Sequence, residues 1–355
     1  MKRSVLIDLL KLVAAQLIVL HHLSAYGPMS KMLASVWPDF IENFYNHSRL
    51  AVQIFLVIGG YLAAQTIRLG TSAPKIIQRR YLRLMPSYAL ALALITIVVW
   101  WLRPHISGDW LVDQPGFSSV LAHTLMLHGV FDTPAMSVGV WYVAIDFQLF
   151  AVLALLAAHA RSSKALSWLV ATLAVASAWC FNRFTALDNW AIYFFGSYGL
   201  GVLAAWSKRS EFDRNLFWGV VWLAVAALWV DPRIRLGVAL ITAVFLPSAE
   251  HFQTLRLKWA QRLSDSSYAQ FLTHFGILVL ASALWGIWHL DSTIAALGML
   301  ALTWIASILF AQIFHRWGEL PLQQWIKRLE ARSSAAPAAG PQLSPVQHQP
   351  AHQSV

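Results

Sequence analysis

The chain has 355 residues, of which 58% are hydrophobic and only 12% charged, a composition that a water-soluble domain could not keep in solution. Its formal net charge of +10 raises nucleic acid as a partner, but the basic residues sit in short breaks between apolar runs with no nucleic-acid motif beside them, so none is expected. The single cysteine, Cys180, excludes a disulfide framework and a cysteine-based metal site.

Apolar runs of spanning length fall at about 5–25, 49–67, 84–102, 138–159, 165–182, 191–206, 216–230, 234–249, 267–288 and 293–314. They predict an all-α polytopic membrane protein with about ten transmembrane helices in a lipid bilayer. The stretch 117–131 reads as an extra re-entrant or interfacial helix. Many of the Trp, among them Trp100, Trp101, Trp190 and Trp288, fall near expected helix ends, where aromatic belts sit.

Charge interrupts the first run. Asp8, Lys11, His21 and His22 stand in an otherwise apolar helix, and ionisable groups at such positions usually face a protein interior or a wet cavity. At roughly 100° per residue, the steps from Lys11 to His22 complete about three turns, which puts the two on one face about 16 Å apart. Asp8, one turn before Lys11, is placed to pair with it. His21 is turned away from that face by roughly 80°, toward neighbouring helices or lipid. These charges, with no small-x-small cleavage site following Leu20, predict a retained spanning helix rather than a removed signal.

The second run carries Gly59-Gly60, a pair that lets another helix approach closely. Arg79, Arg80 and Arg83 precede the third run, with Pro86 in its first turn. That cluster is a topology signal and also a candidate seat for a phosphorylated ligand, because guanidinium groups match phosphate oxygens with paired donors. In the fourth run Trp141 precedes Asp146, an acid about a turn and a half into the membrane that needs a cation, a donor or a proton. His22 is expected at similar depth, so an Asp146 to His22 contact is anticipated. The ninth run carries Tyr268 and His274, the latter either a satisfied interior histidine or part of a polar pathway. Glu319 and Pro321 close the apolar region. The thirteen histidines show no His-Glu-x-x-His spacing, and no metal is expected.

With the amino terminus inside, nineteen of the 26 Lys plus Arg fall in inner breaks or tails, against six outside: Lys31, Arg49, Arg103, Arg183, Arg233 and Arg235. This bias predicts that both termini are cytoplasmic. The outer segments 26–48 and 103–137 are long enough to cap a site. Residues 1–332 read as one integral membrane domain. From Ser333 onward, Ala, Pro, Gln and Ser dominate without apolar periodicity, which predicts a disordered cytoplasmic tail over 333–355.

Taken in order, these pieces resemble the acyltransferase-3 family of integral membrane O-acyltransferases, from about Ile7 to Pro321. A Leu-Asp-Gly-Leu-Arg type segment with a histidine after ten residues matches Asp8, Lys11 and His22. A Phe-Phe-Val-Leu-Ser-Gly-Phe-Leu type segment matches Phe55 to Leu62, and an Arg-Arg-x-x-Arg-x-x-Pro cluster matches Arg79, Arg80, Arg83 and Pro86. A Trp-x-Leu-x-x-Glu segment matches Trp141 and Asp146, a Ser-Tyr-x-x-Tyr-Leu-x-His segment matches Ser267, Tyr268, Leu272 and His274, and a closing Glu-x-Pro matches Glu319 and Pro321. The chain departs from the pattern with Lys for Arg at 11, Gly for Ser at 59 and Asp for Glu at 146.

The resemblance implies an enzyme of the bacterial cytoplasmic (inner) membrane. It would move an acyl group, typically acetyl, from cytoplasmic acyl-CoA to a hydroxyl of a cell-surface glycan or lipid-linked sugar, with acetyl-CoA or another acyl-CoA as co-substrate and no bound cofactor. It also implies roles. His22 would be the general base, Asp146 would orient or charge-stabilise it, and Lys11 with Asp8 would stabilise negative charge along the donor path. Arg79, Arg80 and Arg83 would hold CoA phosphates, and Trp141, Tyr268, His274 and Glu319 would contact donor or acceptor. A proton-coupled transporter of a small solute is the other class that such intramembrane charges suit. The triple-arginine cluster and the lack of a visible internal repeat favour the enzyme.

Overall fold

The computed structural model describes residues 3–106, 108, 110–112, 114–252 and 257–335, and among these every regular element is a helix. In chain order the α-helices are α1 (Val5–Ala25), α2 (Pro28–Val36), α3 (Pro38–Ser48), α4 (Ala51–Thr66), α5 (Ala73–Leu102), α6 (Phe117–Thr124), α7 (Val140–His159) and α8 (Ser163–Trp179). They continue with α9 (Ala191–Trp206), α10 (Glu211–Val230), α11 (Ile234–Phe245), α12 (Lys258–Asp265), α13 (Ser267–Ile287), α14 (Thr293–Phe314) and α15 (Leu320–Ala335). Among the described residues nine helical segments are long and apolar enough to cross a membrane, and the shorter apolar α9 stands at the remaining expected position. The chain is thus an all-α polytopic membrane protein. Its outward faces suit lipid: Trp100 and Trp101 on α5, Trp222 and Trp229 on α10 and Leu302 and Leu309 on α14 are all exposed.

Helix α5 begins at Ala73, not near residue 84, so the basic cluster lies within the helix and Pro86 lies in its interior. The start signal is Pro74 in the first turn, a position where a missing N–H costs nothing. Pro86 was the more conspicuous proline, but a membrane helix braced by neighbours tolerates one mid-span. Likewise α10 starts at Glu211, because the Ser210 hydroxyl accepts the Asp213 N–H at 3.1 Å and caps it. The expected caps exist as helices: α2 and α3 fill the segment after α1, and α6 lies in the segment before α7. At the far end, α15 continues through Ala335, past the expected tail boundary at 333, and residues 336–355 of that tail lie outside the described residues.

The seam that organises the bundle is α4 against α9, flanked by α11 and α7. A Cβ on Gly60 would stand 2.0 Å from the Tyr198 carbonyl oxygen, and one on Gly201 would stand 1.9 Å from that of Val57. Each backbone therefore occupies the space of the other helix's missing side chain, the close approach that Gly60 foreshadows. Polar groups pin the seam: Ser197 donates to Gln53 Oε1 at 2.6 Å, and Trp206 Nε1 donates to the Ala64 carbonyl at 3.2 Å. Helix α1 packs between α4 and α13, and α13 packs on α14 and α5, which brings the polar residues of α1 and α13 face to face.

Candidate active site

At the end of the bundle where α1 finishes and α4 and α7 begin, a cavity of about 530 Å³ opens. Its wall includes His21 and His22 from α1, Tyr45 from α3, Trp141 and Tyr142 from α7, and Phe271 from α13. The volume is that of a small-molecule site.

Within the wall, His22 is buried and its Nδ1 lies 2.9 Å from His274 Nε2. The His274 Nδ1 in turn lies 3.1 Å from the Gln270 carbonyl oxygen. A carbonyl only accepts, so His274 carries its proton on Nδ1. No carboxylate touches either ring among the described residues, and a buried ring without one stays neutral. The His274 Nε2 is then a bare acceptor, His22 donates to it from Nδ1, and the His22 Nε2 is left unprotonated. Among the described residues that nitrogen has no protein partner, yet it is not one of the polar atoms sealed from solvent, so it opens on the cavity that His22 lines. Behind the pair, Gln16 and Gln270 exchange amide bonds at 2.8 and 3.1 Å, Trp304 Nε1 donates to Gln16 Oε1 at 2.8 Å, and Gln270 reaches Ser307 at 3.3 Å. This network locks α13, and with it the Gln270 carbonyl, against α1 and α14.

His21 also lines the cavity. Its Nδ1 donates to the Tyr45 carbonyl at 2.9 Å and its ring stacks on Tyr45 with centroids 4.6 Å apart. The sequence phase turns it toward a neighbour, which α3 is, but does not reveal that the same cavity reaches it.

Asp146 does not meet His22. Its carboxylate forms an ion pair with Arg80, so the anticipated contact is replaced by a bond from α5 to α7. Arg80 also lies 5.2 Å over the Phe150 ring. The shorter acid and the glycine at 59 fit together: a Cβ on Gly59 would stand 2.9 Å from Asp146 Oδ1. Arg80 is thereby committed inside the protein, whereas Arg79 and Arg83 remain exposed.

Asp8 pairs with Arg3, not with Lys11. Arg3 donates from Nε to Oδ2 at 2.6 Å and from Nη2 to Oδ1 at 2.9 Å, and the Ser264 hydroxyl adds a third bond at 2.9 Å. The forked geometry of a guanidinium fills both carboxylate oxygens, which a lysine cannot do. Lys11 lies within electrostatic reach of Asp8, Arg3, Arg83 and Asp265, and makes no ion pair among the described residues. Tyr268 donates to the Leu84 carbonyl at 3.3 Å. Glu319 is held by His315 Nδ1 at 2.8 Å and Gln323 Nε2 at 2.9 Å, in a π-helical turn over His315–Glu319 that ends where Pro321 has no N–H to give. The structure thus gathers His22 and Trp141 at the cavity, with His274 hydrogen-bonded to His22 behind its wall, and separates from them the Arg80–Asp146 pair and the charged group of Asp8, Lys11 and Arg83.

A family model described as an acyltransferase domain, that of the acyltransferase-3 family, matches residues 5–312. The chain belongs to this family. The match takes in every helix that builds the cavity, and it places this polytopic membrane protein in an acyltransferase family. The chain is also similar to "Regulator of hypoxia-inducible factor 1" of Caenorhabditis elegans, 28% identical over 163 residues. That similarity covers 41% of this chain and 32% of the worm protein, so the chain spans about a third of that relative's length. No solved structure matches.

Arg49 and Arg235 also line the cavity. Sequence reasoning counted them only as topology exceptions, although arginines on the side poor in basic residues were a usable signal.

Proposed function

We propose that this acyltransferase moves an acyl group, acetyl in the simplest case, from a cytoplasmic acyl-CoA to a hydroxyl on a cell-surface glycan or lipid-linked sugar, in a bacterial cytoplasmic membrane with both termini inside. The observation that carries the reading is the bare His22 Nε2 facing the cavity, fixed in that tautomer by His274 and the Gln270 carbonyl. His22 Nε2 takes the proton of the acceptor hydroxyl as its oxygen attacks the thioester carbonyl. The tetrahedral intermediate collapses with cleavage of the carbon–sulfur bond, and the imidazolium returns the proton to the departing thiolate. While His22 is charged, the His274 Nε2 lone pair accepts its Nδ1–H, the place a carboxylate takes in other histidine bases. Lys11, about 16 Å along α1 from His22, is too distant to touch the acyl carbon. With the exposed Arg79 and Arg83 it suits the phosphate end of an extended donor.

The test is acyl-CoA-dependent O-acylation in membranes from cells expressing the protein, read by mass spectrometry of surface glycans and lipid-linked sugars. Labelled acyl groups should appear on a sugar hydroxyl with the wild type and be absent with His22→Ala at matched expression. Proton-coupled solute uptake without any acyl transfer would overturn the reading.

A further inference from the structure

We propose that the acceptor entering the cavity carries an anionic group, a carboxylate or a phosphate, held by Arg49 and Arg235 while its hydroxyl meets His22. This rests on reading the cavity as the acceptor site. Basic residues are scarce at this end of the bundle, and three of the six are held by protein partners. Arg183 and Arg233 share Asp231 at 3.5 and 3.2 Å, and Arg233 also donates to Asn182 and to the Ala178 carbonyl. Arg103 donates to the Val112 carbonyl at 3.3 Å, and Lys31 is exposed on α2.

Arg49 and Arg235 differ from these. Both line the cavity that His22 lines, and neither meets a carboxylate among the described residues. Arg49 lies 5.9 Å over the Tyr45 ring, and Arg235 makes one long bond, 3.4 Å, to the Tyr193 hydroxyl. Asp188 borders the same cavity and pairs with neither. Two guanidinium groups whose forked donors are left open, set in a concave wall instead of a lipid-facing one, match an oxyanion brought by the ligand. The aromatic rings beside them, Tyr26, Tyr45 and Trp141, offer faces for a sugar ring between that anion and the base. An acidic sugar would bring the charge as a carboxylate, and a sugar linked through phosphate to a lipid would bring it as a phosphate.

The experiment uses the full chain purified in a neutral detergent. Thermal unfolding is followed with methyl glucuronide, glucose 1-phosphate or methyl glucoside at matched ionic strength. At least one anionic sugar should raise the midpoint while methyl glucoside does not. The shift should vanish in the Arg49→Gln/Arg235→Gln variant and persist in Lys31→Gln. A shift with the glucuronide alone identifies a carboxylated acceptor, and one with the phosphate alone identifies a phosphate-linked one. Equal shifts with the neutral sugar, a shift that survives in the double variant, or no shift with either anion overturns the proposal. Acyl transfer from acetyl-CoA onto the same three sugars separates the two readings. Transfer to methyl glucoside as fast as to the anionic sugars leaves the enzyme standing and removes the anion site. Anion binding without any transfer does the reverse.

Discussion

The Nδ1 of His22 and the Nε2 of His274 meet at 2.9 Å across 252 residues of chain, and the two rings stack with centroids 4.9 Å apart. One histidine thus fixes the tautomer of the other, and the backbone carbonyl of Gln270 fixes the first. A histidine held this way owes its orientation to helix packing, because the carbonyl belongs to α13 and His22 to α1.

His22→Ala should remove acyl transfer by about a hundredfold to ten-thousandfold while the protein still inserts, the usual loss for a general base. His274→Phe keeps the ring and removes the acceptor. It should lower kcat by less, leave the donor KM unchanged and shift the pH profile of kcat, because His22 can then adopt either tautomer. His21→Ala should be milder than both, since among the described residues its ring bonds only through Nδ1 to the Tyr45 carbonyl, away from His274. A pH profile unchanged in His274→Phe would reduce His274 to packing.

The ion pair between Arg80 and Asp146 joins α5 to α7 inside the bundle, and Asp146 is buried. Removing one partner of such a pair typically costs about 3–5 kcal/mol, because the other charge is left uncompensated. Arg80→Gln and Asp146→Ala should therefore each lower the unfolding midpoint in detergent, and exchanging the two side chains should recover part of the loss. Arg79→Gln and Arg83→Gln should unfold normally and raise the donor KM. If all three arginine variants behave alike, the division of the cluster fails.

Much of the fold was legible because apolar runs of spanning length have few other readings, and the ten positions held to within a few residues at most ends. Starts failed where a polar first turn hid the helix, as at Ala73 and Glu211. Partners were harder. Helix phase placed His22 and Lys11 on one face, but nothing along the chain says which helix packs against α1. Asp146 was therefore assigned to a histidine when the nearest cation was Arg80, and Asp8 to the lysine on its own helix when Arg3 lay just outside. The role of His274 depended on a contact that only the packing of α13 creates.

The α4–α9 seam makes a sharper stability prediction than any side-chain pair. Gly60→Ala and Gly201→Ala each drive a methyl group into a backbone carbonyl, which no rotamer change can relieve. Both variants should lose folded protein, read as the monodisperse fraction in detergent, and the midpoint of what remains should fall. Gly219→Ala on α10 is the control, because its Cβ would meet nothing within 4 Å. Equal yields for all three would mean that α4 and α9 are not in contact as described.

The segment between α6 and α7 should loosen in acid. His123 is fixed by the Ser119 carbonyl at 2.8 Å and the Met136 N–H at 3.1 Å, and His128 stacks on it with centroids 4.2 Å apart and planes 5° apart. Both nitrogens of His128 are sealed and have no partner among the described residues. Burial first, and then the neighbouring His123, push its pKa down to about 4 from the ordinary 6.5. Between those two values the unfolded chain binds a proton at this position that the folded chain refuses, so stability rises with pH across the window. The contribution is complete above about pH 6.5 and is lost as pH falls toward 4. Amide exchange over residues 125–139 should thus be protected at about pH 7.5 and accelerate at about pH 5, after correction for the intrinsic rate. His128→Phe keeps the stacked ring and has nothing to protonate, so its protection should change far less between the two conditions. Equal pH dependence in wild type and variant would assign the loosening to another group.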